Sequence, residues 1–104
     1  MNFSETSSFH FVGVGGVGMS GIAEILIRCG SQVSGSDLKE SGTLTNLRLL
    51  GIQVFIGHNP SNIGQAQAVV YSSAVSSENP ELKAARELGL PIFHRGQILA
   101  ELMQ

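Results

Sequence analysis

Short, largely apolar segments alternate along this chain with stretches in which apolar residues recur every three or four positions. The segments 9–14, 32–36, 53–56, 68–71 and 90–93 predict five strands, each bounded by glycine or polar turns. Between the first two, Ile22, Ile25, Leu26 and Cys29 fall at i, i+3, i+4 and i+7. That spacing predicts a helix over 18–29 with one apolar stripe against a sheet. Leu44, Leu47 and Leu50 predict a second helix over 44–50, and Ile98, Leu99, Leu102 and Met103 a last one over 97–103. The third helix is announced by its opening, in which Asn79 serves as N-cap, Pro80 is the first helical residue and Glu81 lies in the first turn. It is expected to bury Leu82, Ala85 and Leu88. Residues 61–63 have room for one helical turn at most.

One junction recurs three times. Cys29-Gly30-Ser31-Gln32-Val33, Leu50-Gly51-Ile52-Gln53-Val54 and Leu88-Gly89-Leu90-Pro91-Ile92 each join an apolar helix end, a glycine cap and a strand entry. Loops that short, feeding apolar strands after helices, imply parallel strands wound in the right-handed βαβ sense. The predicted architecture is α/β: a Rossmann-like parallel sheet of about five strands, order 3-2-1-4-5, with helices on both faces. Residues 1–8 are expected to be a flexible N-terminus and 9–104 a single domain.

Composition narrows the partners. The length of 104 residues suits one domain, and 13% charged residues suits a sheet covered on both sides. A net charge of −2 argues against a nucleic-acid or anionic-membrane surface. An anionic ligand must therefore be held by local dipoles and a few side chains. The single cysteine, Cys29, excludes an internal disulfide framework and suits a small core or helix-end residue. The polar first eight residues do not form a signal peptide, and no apolar run approaches a membrane span, so a cytoplasmic protein is expected.

Candidate chemistry begins where the first strand meets its helix, in FHFVGVGGVGMSGI. Gly13, Gly15, Gly16 and Gly18 follow the strand directly, the order a phosphate-binding βα turn requires. Gly13 is expected to allow the tight turn, Gly15 close backbone approach to a diphosphate, and Gly18 close helix–strand packing. The N–H groups that open a helix make an anion site with its dipole, so Gly15, Gly16, Val17, Gly18, Met19 and Ser20 are candidate ligand contacts. The alternative is a turn that only joins strand to helix.

Ligands of such sheets bind beyond the carboxyl ends of the strands. Every predicted strand delivers hydrogen-bonding groups there: Met19-Ser20 after the first, then Ser36 and Asp37, His58 and Asn59, Ser72 and Ser73, His94 and Arg95. Asp37 lies 19 residues past Gly18, where a dinucleotide site carries its ribose acceptor. It can accept from a ribose hydroxyl or a base N–H, or merely cap the next turn. Ser72 and Ser73 are ligand contacts or a strand-end turn, and His58 a donor to a ligand oxygen or a turn residue. Arg95 is a phosphate or acidic-sugar contact or a solvated charge. His10 is expected to pack inside its strand, His94 to be structural, and Arg28 to complement a helix dipole.

The sequence has no GxxxxGK[ST] loop, no zinc spacing and no nucleophile beside a histidine and an acid, so no catalytic residue is expected. The motifs together resemble the N-terminal domain of the Mur ligase family, nearest to its alanine-adding branch. The resemblance rests on 10–23 (HFVGVGGVGMSGIA), 33–37 (VSGSD), Gly57-His58, Ser72-Ser73-Ala74, Asn79-Pro80-Glu81-Leu82 and the tail from Gly89 to Leu102. It implies a domain that binds the UDP part of UDP-N-acetylmuramic acid in peptidoglycan synthesis. It also implies ATP and Mg2+ on a further domain, and L-alanine on another, both outside these residues. By position, it adds Ala74 to the substrate cradle with Gly13, Gly15–Ser20, Ser36, Asp37, His58, Ser72, Ser73 and Arg95. A chain of this length is then expected to bind without catalysing. The murein-tripeptide-recycling sister ligase and a NAD-binding Rossmann module are the alternatives.

Overall fold

The computed structural model describes residues 8–103. The expected flexible segment falls outside these residues except for Ser8, which already belongs to the first strand. In chain order the elements are β1 (Ser8–Val12), α1 (Met19–Arg28), β2 (Gln32–Asp37), α2 (Gly42–Leu49) and β3 (Gln53–Ile56). A 3-10 turn (Pro60–Ile63), β4 (Ala68–Tyr71), α3 (Pro80–Glu87), β5 (Ile92–His94) and α4 (Arg95–Leu102) follow. The strands form one parallel sheet in the order β3-β2-β1-β4-β5. That is the architecture expected from the sequence.

Period-2 alternation divides β1 between two cores. Phe9 and Phe11 join Val33, Ala68 and Val70 beneath α1, α2 and α4, which contribute Ile22, Leu26, Leu44, Leu47 and Ile98. On the opposite face Val12 and Val69 pack with Ile63, Leu82 and Ala85, from the 3-10 turn and α3. Each of the larger side chains (Val, Leu, Ile, Phe) stabilises the fold by roughly 1.5–3 kcal/mol relative to exposure. Leu88, expected inside, is 64% exposed, because the helix ends there and the chain turns away at Gly89.

Several boundaries differ from the sequence reading for local reasons. β1 stops at Val12 because Gly13, at φ 80°, turns the backbone, and the Gly13 and Val14 N–H groups both donate to the Ser36 carbonyl at 2.8 and 3.0 Å. α4 begins two residues early because the His94 ring caps it: Nδ1 accepts from Gly96 N–H at 3.1 Å, and the Gln97 side chain accepts from His94 N–H at 2.7 Å. Cys29 is the exposed C-cap of α1.

The close neighbour of Gly18 is Arg95, not a strand, and the tightest approach to a glycine is at Gly35. A Cβ at Gly35 would lie 2.5 Å from Val14 Cβ, within the main core. Gly35→Ala is expected to destabilise the chain by about 1–3 kcal/mol through overpacking, read as a lower urea midpoint with unchanged slope.

Candidate functional site

Ser72, Ala74, Asp37 and His58 line one cleft of about 310 Å3 with Gly13 and Gly16, joined by Leu38, Val75, Ser76 and Asn79. It opens at the carboxyl ends of β1, β2 and β4, at the point where strand order reverses. A second cleft, about 340 Å3, lies toward the amino ends of β1, β2 and β3, lined by Ser8, Gln32 and Gln53 together with residues 61–66. Among the described residues, no helix starts at that end of these strands to point its dipole into this cleft.

The glycine loop is held by its own backbone. Gly16 N–H donates to the Gly13 carbonyl and Met19 N–H to the Gly16 carbonyl, both at 3.0 Å. Gly15 N–H donates to Asp37 Oδ2 at 2.9 Å, while Leu38 N–H donates to Asp37 Oδ1 at 2.8 Å. Asp37 thus fastens the loop to the end of β2 and still presents lone pairs to the cleft. Gly18, at φ 79°, is the N-cap of α1 and supplies no side-chain cap. A Cβ there would lie 3.1 Å from Arg95 Nη1, so the guanidinium lies against the uncapped helix opening. The first turn of α1 carries no acidic residue. Dipole and cation together favour an anion at this point.

Other candidates sit elsewhere. The Met19 side chain is fully buried in the main core, so it offers the cleft nothing; an apolar residue on the inner face of α1 packs there. Ser36 is also fully buried, because alternation along β2 turns it toward α3. A Cβ at Gly15 would meet Asp37 Oδ2 at 2.9 Å and Leu44 Cδ2 at 3.1 Å, so the small residue makes room for those groups. Ser20 lines a separate groove between α1 and α2. Val17 is 97% exposed on the loop, and the Ser73 hydroxyl pairs with His94 Nε2 at 2.9 Å.

Beneath the cleft lies a group that the sequence pattern assigned only to a helix dipole. Glu81 is fully buried. Its Oε1 accepts from His10 Nε2 at 2.6 Å and Ser36 Oγ at 2.7 Å; Oε2 accepts from Asn59 N–H at 3.0 Å and Asn62 Nδ2 at 2.9 Å. Burial pushes this carboxyl's pKa up, but the bonds from His10, Ser36 and Asn62 outweigh it and bring it down to about 2. Ser36 Oγ also contacts His58 Nδ1 at 2.8 Å, and His10 Nδ1 contacts Ser34 Oγ at 2.7 Å. The visible signal was a polar stripe (His10, Ser34 and Ser36) on one face of two buried strands, which requires a polar partner from the covering helix. Leu38 had no such signal: it is 67% exposed and is recognised only from its place beside the cleft.

A profile described as the Mur ligase family, catalytic domain, matches residues 8–104. The chain belongs to the Mur ligase family. The UDP-N-acetylmuramate–L-alanine ligase of Persephonella marina is 55% identical over 95 residues, covering 91% of this chain and 21% of that protein. Among solved structures, the UDP-N-acetylmuramate-alanine ligase of Thermotoga maritima superposes with a TM-score of 0.88 at 35% identity, covering 92% of this chain and 22% of that one. The UDP-N-acetylmuramate:L-alanyl-gamma-D-glutamyl-meso-diaminopimelate ligase of Neisseria meningitides gives 0.84 at 31% identity, covering 92% and 31%. This Mur ligase chain therefore spans about a fifth of the length of the curated relatives it matches. Among the described residues, no helix is long and apolar enough to cross a membrane.

Proposed function

We propose that this Mur ligase chain binds the UDP part of UDP-N-acetylmuramic acid, as the N-terminal domain of an ATP-dependent, cytoplasmic UDP-N-acetylmuramate–L-alanine ligase. The observation that carries this reading is the convergence of Asp37, His58, Ser72 and the glycine loop on one cleft at the strand switch point. The uncapped opening of α1, with Arg95 against Gly18, suits the diphosphate. Asp37 suits a ribose hydroxyl or base N–H, and the apolar Leu38 side chain suits the face of the base. Gly13, Gly16, His58, Ser72 and Ala74 complete the cradle, with Val17 and Ser73 at its margins.

In the whole ligase, the muramoyl carboxylate would be activated as an acyl phosphate and then attacked by the amine of L-alanine. ATP and Mg2+ do not fit the residues present: the sequence lacks a GxxxxGK[ST] loop. No group of three or more His, Cys, Asp or Glu among the described residues is arranged to hold a metal ion. The role of this domain is to seat the nucleotide so that the sugar end is fixed for chemistry elsewhere.

Calorimetric titration of the chain with UDP-N-acetylmuramic acid and with NADH tests the reading. Saturable binding of the UDP-sugar alone is expected; saturable NADH binding without it would establish the NAD-module alternative. Asp37→Ala is expected to weaken the UDP-sugar by about tenfold or more, since both a ligand acceptor and the loop fastening are lost. The Neisseria neighbour favours a second reading, in which the incoming group is a murein tripeptide. Supplying L-alanine or the tripeptide to the full-length ligase separates the two.

A further inference from the structure

The hydrogen-bond directions around Glu81 fix a proton on His58. The four hydrogen bonds of the Glu81 carboxylate, with His10, Ser36, Asn59 N–H and Asn62, all come from groups able to donate, and His58 Nδ1 lies 3.6 Å from its Oε2; an ionised carboxylate only accepts. The Ser36 hydroxyl has one proton, and it goes to Glu81 Oε1 at 2.7 Å. At its other contact, 2.8 Å from His58 Nδ1, Ser36 must therefore accept. His58 Nδ1 then carries the hydrogen, and in a neutral imidazole Nε2 is left as an acceptor. The ring is 15% exposed and lines the cleft beside Asp37 and Leu38.

The end of β5 shows the opposite arrangement. His94 Nδ1 accepts from Gly96 N–H at 3.1 Å, so its proton is on Nε2, which donates to Ser73 Oγ at 2.9 Å. Two histidines at the carboxyl ends of the two edge strands thus present opposite tautomers, each set by the partner on its Nδ1.

We propose that Glu81 is a positioning residue which, through Ser36, holds His58 in the Nδ1–H tautomer, so that the ring offers the cleft an acceptor. His58 then selects a ligand with an N–H or O–H at that point and disfavours a bare phosphate or carboxylate oxygen. This reverses the sequence expectation in which His58, if not merely a turn residue, donates to a ligand oxygen. The selection rests on the cleft being the nucleotide site; the proton position does not.

Long-range 1H–15N correlation spectra of the 15N-labelled chain, taken at about pH 8 and above the ordinary histidine range, read both rings without ligand. His58 is expected to show a protonated Nδ1 and an unprotonated Nε2, with His94 reversed as an internal reference. Protonation of His58 on Nε2 in the wild-type chain would overturn the proposal. In Ser36→Ala, which removes the hydroxyl that accepts from Nδ1, the His58 proton is expected to move to Nε2 and the affinity for UDP-N-acetylmuramic acid to fall about tenfold. Retention of the Nδ1–H form in the folded variant would also overturn the relay through Ser36, and should the variant not fold, the wild-type spectrum alone decides the proton position. Failure of the wild-type chain to bind the UDP-sugar, with the tautomers as expected, would instead remove the ligand reading.

Discussion

Replacing Glu81 with alanine is expected to destabilise the domain by about 3–5 kcal/mol, because several buried or half-buried donors lose their acceptor together. The cost arises from the groups left behind. His10 is fully buried and would lose its partner at 2.6 Å, while Ser36, Asn62 and Asn59 N–H would lose an acceptor in a region with little water. Urea denaturation of the wild-type and variant chains measures the loss. A midpoint within a few tenths of a molar of wild type would contradict it.

The same carboxylate predicts the acid limb of stability. Its folded pKa, about 2, lies below the ordinary value of 4.5, so the folded state binds the proton less readily than the unfolded chain. The stabilisation is complete above 4.5 and is lost as pH falls from there toward 2, amounting to about 3 kcal/mol. Urea midpoints taken through that window should fall steeply in the wild type and much less in a Glu81→Gln chain.

The second large effect is expected at Gly15. A valine there would push against Asp37 Oδ2 and the buried Leu44, whose nearest atoms lie 2.9 and 3.1 Å from the modest volume of a Cβ. Asp37 would have to release Gly15 N–H, and the loop would lose its fastening to β2. UDP-sugar affinity is expected to drop about 100-fold, equivalent to about 2.7 kcal/mol. The fold should survive, with a stability loss of about 1–3 kcal/mol. Wild-type affinity in a folded Gly15→Val chain would remove the glycine loop from the site. Circular dichroism and titration on the same sample separate the two effects.

The sheet order was legible in the sequence because three glycine-capped helix exits each feed a strand within a few residues, and handedness then leaves few topologies. The rim of the site was legible for a similar reason: Asp37, His58 and Ser72 lie at or within two residues of a strand's carboxyl end, and all such ends of a parallel sheet point one way. Side-chain facing was harder. Met19 and Ser36 are adjacent in sequence to loop residues but belong to the alternation of the elements they sit on, which turns them inward. Glu81 was obscured because a first-turn glutamate after Asn-Pro is already explained by helix capping and dipole arguments, although it also faces the polar stripe of β1 and β2. Leu38 follows Asp37 with no periodicity of its own, and only the folded chain shows it beside the cleft.

Asp37 is tethered at both oxygens before any ligand arrives, by Gly15 on one side and Leu38 on the other. A nucleotide reaching it meets a side chain whose rotamer and neighbouring loop were set during folding. Affinity is then not diminished by ordering the receptor, and association should proceed at a rate governed by encounter and not by rearrangement.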